Sequence, residues 1–274
     1  LSNTDGLPES IRINGVTFSY KERTILKGID LTIPIGSYFG IVGPNGSGKT
    51  TFAYIVCGIY KPDKGSIETK GLRRGLVLAN PANQIVSLVV EEDIAFGPEN
   101  MGLSSLEINE RIEYTLNATH SSHLRKSLTT SLSGGQLAKI AFAGQLALDA
   151  DILVLDEGTI MLDPLARSAL LETVRELNRD LGKTIIHISH RLDDLECADT
   201  VAVLDEGLIK TKSSGAMKLV QDYDAGKINS IEPGNLLLYR EFLNETGIYD
   251  KDIEKATEIL AGRIIDKDIQ RQGR

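Results

Sequence analysis

Residues 43–50, Gly43-Pro44-Asn45-Gly46-Ser47-Gly48-Lys49-Thr50, fill every fixed position of the pattern G-x-x-x-x-G-K-[ST]. Glycines at these places let the backbone curl so that successive N–H groups point inward. A helix opening at Lys49 adds its N-terminal dipole, and the resulting concavity suits a polyphosphate. Lys49 is expected at the β- and γ-phosphates, the Thr50 hydroxyl on a Mg²⁺ ion and Thr51 toward the α-phosphate, with Gly43, Asn45, Gly46, Ser47 and Gly48 wrapping the anion. A chance glycine-rich turn is the alternative. The apolar run 38–42 before the loop (YFGIV) and the helical stretch 49–58 after it argue against chance.

Ile152-Leu153-Val154-Leu155-Asp156-Glu157 is four apolar residues ending in two acids. A buried parallel strand delivers such carboxylates to the C-terminal edge of its sheet, where a phosphate loop also sits. Asp156 is placed to hold Mg²⁺, directly or through water, and Glu157 to polarise an attacking water. A strand ending in acids for solubility is the blander reading, weakened by the phosphate loop upstream.

Leu132-Ser133-Gly134-Gly135-Gln136 offers a second anion site, because Ser133 can cap a helix whose first N–H groups are free. With this motif the sequence resembles the ABC ATPase family, whose signature is LSGGQ. The family's other elements follow in order. Tyr20 matches the aromatic that stacks on adenine, and Gln84 the glutamine that senses Mg²⁺ and the coupling interface. Leu162-Asp163 matches the dimer-interface loop, and His190 the histidine that contacts the γ-phosphate. Taken singly, Tyr20 reads as a half-buried strand aromatic, Gln84 as a surface amide and His190 as a capping residue. The resemblance covers residues 11–212. It implies ATP and Mg²⁺ as cofactors, a catalytic group of Glu157, His190, Lys49 and Gln84, and a metal held among Thr50, Gln84 and Asp156. Ser133, Gly134, Gly135 and Gln136 would bind the ATP of a second subunit. One copy of each motif implies a homodimer, or a heterodimer with a paralogous ABC ATPase.

Residues 84–103 (QIVSLVVEEDIAFGPENMGL) look like the ATPases of energy-coupling-factor importers, where a stretch resembling V-x-E-D-[VI]-A-F-G-P-E-N follows the glutamine. Met161-Leu162-Asp163-Pro164 and a helical C-terminal extension fit the same group. That resemblance implies docking on a transmembrane subunit, an indirect link to a substrate-binding membrane subunit, and uptake of a vitamin or a cobalt or nickel ion. An ordinary amphipathic linker is the alternative for residues 90–100. Four positions depart from the family pattern: Gly158, Ile160, Leu137 and Arg191. None removes a group needed for phosphate chemistry, and they fit a subunit specialised for a heterodimer. The rival functions are a soluble non-transport ABC ATPase and a weakly active regulatory subunit.

The elements that must position these residues are legible from spacing. Residues 11–20 and 24–33 alternate as strands around a charged turn at Lys21-Glu22-Arg23, and further strands are expected at 38–42, 66–70, 75–80, 151–155 and 183–189. Residues 91–150 carry helical spacing. A helix is expected over 165–179 and a hairpin over 200–210 around Glu206-Gly207. The fold class is α/β: a P-loop NTPase core of the ABC ATPase kind with a largely parallel sheet, a mainly helical insertion and a small helical C-terminal extension. The expected division is an ATPase domain over 1–212, with its helical subdomain at about 85–148, and an extension over 213–274 carrying helices near 216–223, 236–243 and 253–260.

Thirty Lys and Arg against 38 Asp and Glu give a net charge of −8, which repels phosphate backbones, so no nucleic-acid partner is expected. No apolar run reaches the roughly 18 residues that cross a bilayer, and residues 1–10 lack a signal-peptide core. The expected place is the cytoplasmic face of the membrane, reached by docking on another chain. Cys57 and Cys197 read as small buried residues in a reducing compartment. His187 reads as a core histidine, and His120 and His123 as a solvated pair. Deleting the residues after Gly215 is expected to weaken subunit pairing and leave nucleotide affinity intact. Sedimentation with ATP titration checks this, and normal pairing of the truncated chain would give the extension another role.

Overall fold

Three strands carry uninterrupted apolar runs, and each is buried along its whole length: β3 (Tyr38–Val42), β6 (Ile152–Asp156) and β7 (Thr184–Ser189). Strands buried on both faces are what a parallel sheet covered by helices requires. The computed structural model, which describes residues 10–158 and 162–222, places them at the centre of a six-stranded sheet of order β5-β6-β7-β3-β8-β9. Here β5 is Arg74–Val77, β8 Thr200–Asp205 and β9 Leu208–Ser213; β9 alone runs antiparallel, as the return arm of the expected hairpin. A second sheet, β2-β1-β4, is antiparallel and joins β1 (Ser10–Tyr20), β2 (Arg23–Pro34) and β4 (Lys64–Glu68). Residues 1–9, 159–161 and 223–274 lie outside the described residues, and with them Ile160, Met161 and the helices expected near 236–243 and 253–260.

Pleating divides the core. Phe39 and Ile41 of β3 face Ile11, Ile13, Leu26 and Ile33 of the small sheet, with helix α1 (Lys49–Val56) contributing Phe52 and Val56 between the sheets. Tyr38 and Val42 face the opposite side, where Leu170, Val174 and Leu177 of α5 (Pro164–Arg179) cover them. A third apolar cluster unites α2 (Val90–Asn100), α3 (Ser105–Ala118) and α4 (Gly134–Ala147) through Ile94, Leu116 and Ile140. Residues 90–100 are thus helical, with Glu91, Glu92 and Asp93 in the first turn where the helix dipole favours acids. A short α6 (Ala216–Asp222) closes the described part of the chain.

The strand expected over 66–70 lies two residues earlier, at Lys64–Glu68, and two further boundaries differ from expectation for local reasons. The strand expected over 75–80 stops at Val77, because the Leu78 N–H goes to the Gln84 side chain and Pro81 opens a 3₁₀ turn. The helix expected to reach residue 58 ends at Val56, with Gly58 at φ 77° beyond the cap. The cysteine expectation fails in part: Cys57 is half-buried, its thiol pushed up to about 12 by burial, but Cys197 is exposed. Cys197 follows a short 3₁₀ turn at Leu192–Leu195 and not a full helix, so its apolar neighbours turn inward without it. His120 and His123 are both exposed.

His187 is fully buried in β7 and its Nδ1 lies 2.8 Å from the Tyr38 hydroxyl of β3. Burial pushes its pKa down to about 4, against an opposing pull from Asp194. The unfolded chain therefore takes up a proton near pH 6.5 that the folded chain refuses until about pH 4. His187 contributes stability that is complete above pH 6.5 and is lost as pH falls from there toward 4. Replacing it in His187→Phe is expected to flatten the fall in thermal midpoint across that window. An unchanged slope would assign the acid sensitivity to other groups.

Candidate nucleotide site

Four candidate segments leave the sheet at the same edge in the order of its strands. Gln84 follows β5, Asp156 and Glu157 end β6, His190 follows β7, and the glycine-rich loop follows β3. Register aligns these ends, with Val77 beside Leu155, Asp156 beside Ile188, and Ser189 beside Val42.

Between β3 and α1 the loop needs its glycines for space and for conformation. A Cβ on Gly43 would lie 1.9 Å from the Leu204 carbonyl oxygen, and Gly48 sits at φ 106°, where side chains are strained. Lys49 is buried, and its Nζ donates to the carbonyls of Gly43 (2.8 Å) and Pro44 (3.0 Å). The same atom lies 3.7 Å from Oε1 of Glu157. Burial pushes the lysine pKa down, while Glu157 and Asp156 pull it back up. Thr50 faces solvent and Thr51 is buried in the first turn of α1.

Asp156 is 3% exposed and its Oδ1 has no hydrogen-bond partner. Burial raises its pKa, and the nearby Thr50 hydroxyl acts in opposition. A buried carboxylate with one orphaned oxygen beside a hydroxyl is a hard-oxygen donor set that fits Mg²⁺, which takes one or two carboxylates plus substrate phosphates. Glu157 adopts φ 53°, unusual for a glutamate, with its N–H bonded to the Ile188 carbonyl at 3.0 Å. Its Oε1 lies 3.8 Å from Nδ1 of the half-exposed His190, so the carboxylate stands between Lys49 and the imidazole.

The remaining candidates stand apart from that group. Both polar atoms of the Gln84 amide are engaged at the end of β5: Oε1 accepts from Leu78 N, just past the strand, and Nε2 donates to Leu76 O, each at 2.7 Å. Ser133 caps α4 in a reciprocal box, accepting from Gln136 N at 3.3 Å while Gln136 Oε1 accepts from Ser133 N at 2.9 Å. Gly134 and Gly135 open that helix, and Gly135 lies against Leu162, Asp163 and Ala166 rather than against residues 43–51 of its own chain. Asp163 caps α5 through Leu165 N and Ala166 N.

Sequence reasoning missed the support of Tyr20. Its ring, 43% exposed, packs edge-on to Phe18 (5.0 Å) and Tyr60 (5.9 Å); Phe18 and Tyr60 stack at 5.4 Å, and Tyr54 meets Tyr60 at 5.3 Å. The usable signal was two tyrosines just after the phosphate loop in a chain with only 5% aromatic residues. Also missed were Arg167 and Asp194, which line a cleft of about 100 Å³ with Glu157 and His190.

This sheet, with its glycine-rich loop and the acid pair on the same edge, defines an ATP-binding cassette of the P-loop class. Residues 26–160 match the ABC transporter family. The chain is 39% identical to the energy-coupling factor transporter ATP-binding protein EcfA1 of Caldanaerobacter subterraneus, across 73% of this chain and 78% of that one. It is 44% identical to the protein of the same name from Symbiobacterium thermophilum, across 69% and 70%. Among solved structures, cbiO1 of Clostridium perfringens, described as part of the ABC transporter complex cbiONQ, superposes with a TM-score of 0.71 at 29% identity, covering 86% of this chain and 95% of that one. The dimeric cassette MJ0796, solved with ADP and Pi, shares the fold at TM-score 0.69 and 24% identity, covering 74% of this chain and 98% of that one. The chain belongs to the energy-coupling factor transporter ATP-binding protein family.

Lys49→Ala is expected to weaken MgATP binding ten- to a hundredfold, roughly 1.5–3 kcal/mol for lost charge-assisted bonds. Equilibrium binding of a fluorescent ATP analogue measures this, and unchanged affinity would sink the assignment of the loop.

Proposed function

We propose that this chain binds MgATP on the loop 43–51, hydrolyses it with Glu157 and His190, and couples the cycle to transmembrane uptake of a vitamin or transition-metal ion. The observation that carries the reading is the convergence of Lys49, Asp156, Glu157 and His190 on one sheet edge, with a Glu157 carboxylate oxygen within 4 Å of both the Lys49 ammonium and the His190 ring. Lys49 exchanges its two loop carbonyls for the β- and γ-phosphates. Thr50 and Asp156 would hold a Mg²⁺ ion, which when bound would offset phosphate charge. Glu157 accepts hydrogen-bonded water and orients it, and His190 supports the γ-phosphate from the opposite side. Adenine stacks on Tyr20, whose ring is braced by Phe18 and Tyr60. Gln84 reaches the metal only by exchanging its bonds to β5.

The reading requires a second ABC ATPase, identical or paralogous, whose Ser133–Gln136 equivalent closes the site. The ATPase unit is residues 1–212, and residues 213–274 serve subunit pairing. Docking on a transmembrane subunit at the cytoplasmic face uses the surface after Gln84, where Val86, Leu88 and Leu128 are 61%, 67% and 53% exposed. Large apolar side chains in one exposed patch mark an interaction site. The alternative of a weakly active regulatory subunit draws on Arg191 and Gly158, which flank the catalytic pair.

Glu157→Gln is expected to keep ATP affinity, lower turnover on the order of 100-fold or more, and accumulate an ATP-bound pair. Phosphate release and size-exclusion chromatography with ATP read both effects. Parental turnover in the variant would remove Glu157 from the chemistry, and inactivity of the parent, alone and with a paralogue, would leave the regulatory reading. Affinity capture from gently solubilised membranes is expected to bring down a polytopic membrane protein and a second ABC ATPase. Recovery of soluble partners only would overturn the transport role.

A further inference from the structure

Arg167 sits one helical turn past the Asp163 cap of α5, its N–H bonded to the Asp163 carbonyl at 2.9 Å. Its guanidinium Nη2 donates to Oδ1 of Asp194, a carboxylate almost wholly buried behind His190. The other Asp194 oxygen accepts from the Ser189 hydroxyl at 2.8 Å. Ser189 Oγ in turn accepts from the Arg191 N–H at 3.0 Å. Residues 189 and 191, on either side of His190, are therefore clamped through one carboxylate, and that carboxylate is held by Arg167.

Stability is a weak reason for such a pair. Removing two charges from water costs about as much as their attraction returns, and apolar replacements of similar volume often fold as well. Geometry is the better reason. The planar fork of Arg167 fixes the carboxylate, the carboxylate fixes the backbone around His190, and all three groups line the cleft that Glu157 enters. The same helix end meets Gly135, in the first turn of α4, through Leu162, Asp163 and Ala166.

We propose that Arg167 is a positioning residue for hydrolysis: through Asp194 and Ser189 it sets His190 against Glu157, and it ties that alignment to the Leu162-Asp163 loop at the start of α5. The proposal rests on the ATPase reading above. Closing the pair presses on residues 162–163, the α5 terminus shifts, and the fork of Arg167 carries the shift to His190. A displacement of about 1 Å at a catalytic group is worth on the order of 100-fold in rate, so a small movement suffices.

The test compares the parent, E157Q, R167A, R167K and D194N, each within the assembly that the tagged chain brings out of the membrane. R167A is expected to lose turnover on the order of 10- to 100-fold, with KM for ATP changed by less than about twofold. It should also accumulate the ATP-bound pair as E157Q does, which simple loss of folded protein cannot produce. D194N should reproduce R167A, the double variant should be no slower than either, and R167K should fall between them and the parent. Parental turnover in both R167A and D194N, or loss of ATP affinity in step with turnover, would overturn the proposal. If R167A does not fold, D194N and R167K decide between the same two outcomes. A parent without ATPase activity, or an E157Q variant as active as the parent, would instead bring down the underlying ATPase reading, and the proposal with it.

Discussion

A lysine ammonium buried at the end of a strand must find negative charge, and the arrangement of this site follows from that demand. Lys49 is 6% exposed and is held by two carbonyls of its own loop at 2.8 and 3.0 Å, with the Glu157 carboxylate at 3.7 Å. Desolvation acts against the charge, and the two acids of β6 preserve it. Those acids can reach it because β7 alone separates β6 from β3, so the strand ends stand roughly 10 Å apart at ordinary strand spacing. The intervening strand brings His190 into the same gap. Parallel order, loop curvature and the left-handed backbone at Glu157 are all conditions for one cation to meet one carboxylate.

The loop after β5 shows how an exposed surface is tied to that edge. The Gln84 amide spans Leu76 and Leu78, while buried Asp93 of α2 accepts from Val86 N at 2.7 Å and Ser87 N at 3.0 Å. Side chains thus hold residues 84–87 at both ends, between the strand beside Asp156 and the helix beside the exposed Val86 and Leu88. On the proposed reading, a partner pressing on those apolar side chains loads hydrogen bonds that end on Leu76 and Leu78. Since each such bond is worth only about 1 kcal/mol net, a docked partner can exchange them without unfolding either element.

How much of this was legible in the sequence depends on the separation of the interacting residues. The phosphate loop, the acid pair and the Ser133 cap are local patterns, written in contiguous residues with fixed spacing, and each sits on the element expected of it. The strands of the parallel sheet were legible because burial on both faces forces unbroken apolar runs. Contacts between distant segments were not. Tyr60 under Tyr20, Arg167 on Asp194 and Tyr38 on His187 join residues whose spacing follows no helical or strand period. The Gln84 amide looked free because nothing local announces that a strand end will take both its polar atoms. Cys197 looked buried because an apolar neighbourhood in sequence does not say which side of a 3₁₀ turn faces water.

Two of the departures from the family pattern, Arg191 and Gly158, act on the margins of this arrangement. Arg191 directs its guanidinium to Asp193 at 3.3 Å, so its charge is partly answered beside the cleft instead of confronting Glu157. A Cβ on Gly158 would meet Val77 Cγ1 at 3.1 Å, so a larger residue there presses on the end of β5 and on the anchorage of Gln84. In the single chain, the groups that the proposed reading assigns to the two halves of a nucleotide site are locally satisfied, Lys49 by its loop carbonyls and Ser133 by Gln136. Nucleotide binding is then an exchange of hydrogen bonds, whose net gain per bond is small. On the proposed reading a γ-phosphate between two chains is the one ligand that answers both exchanges at once, so affinity for the nucleotide and affinity between the chains rise together.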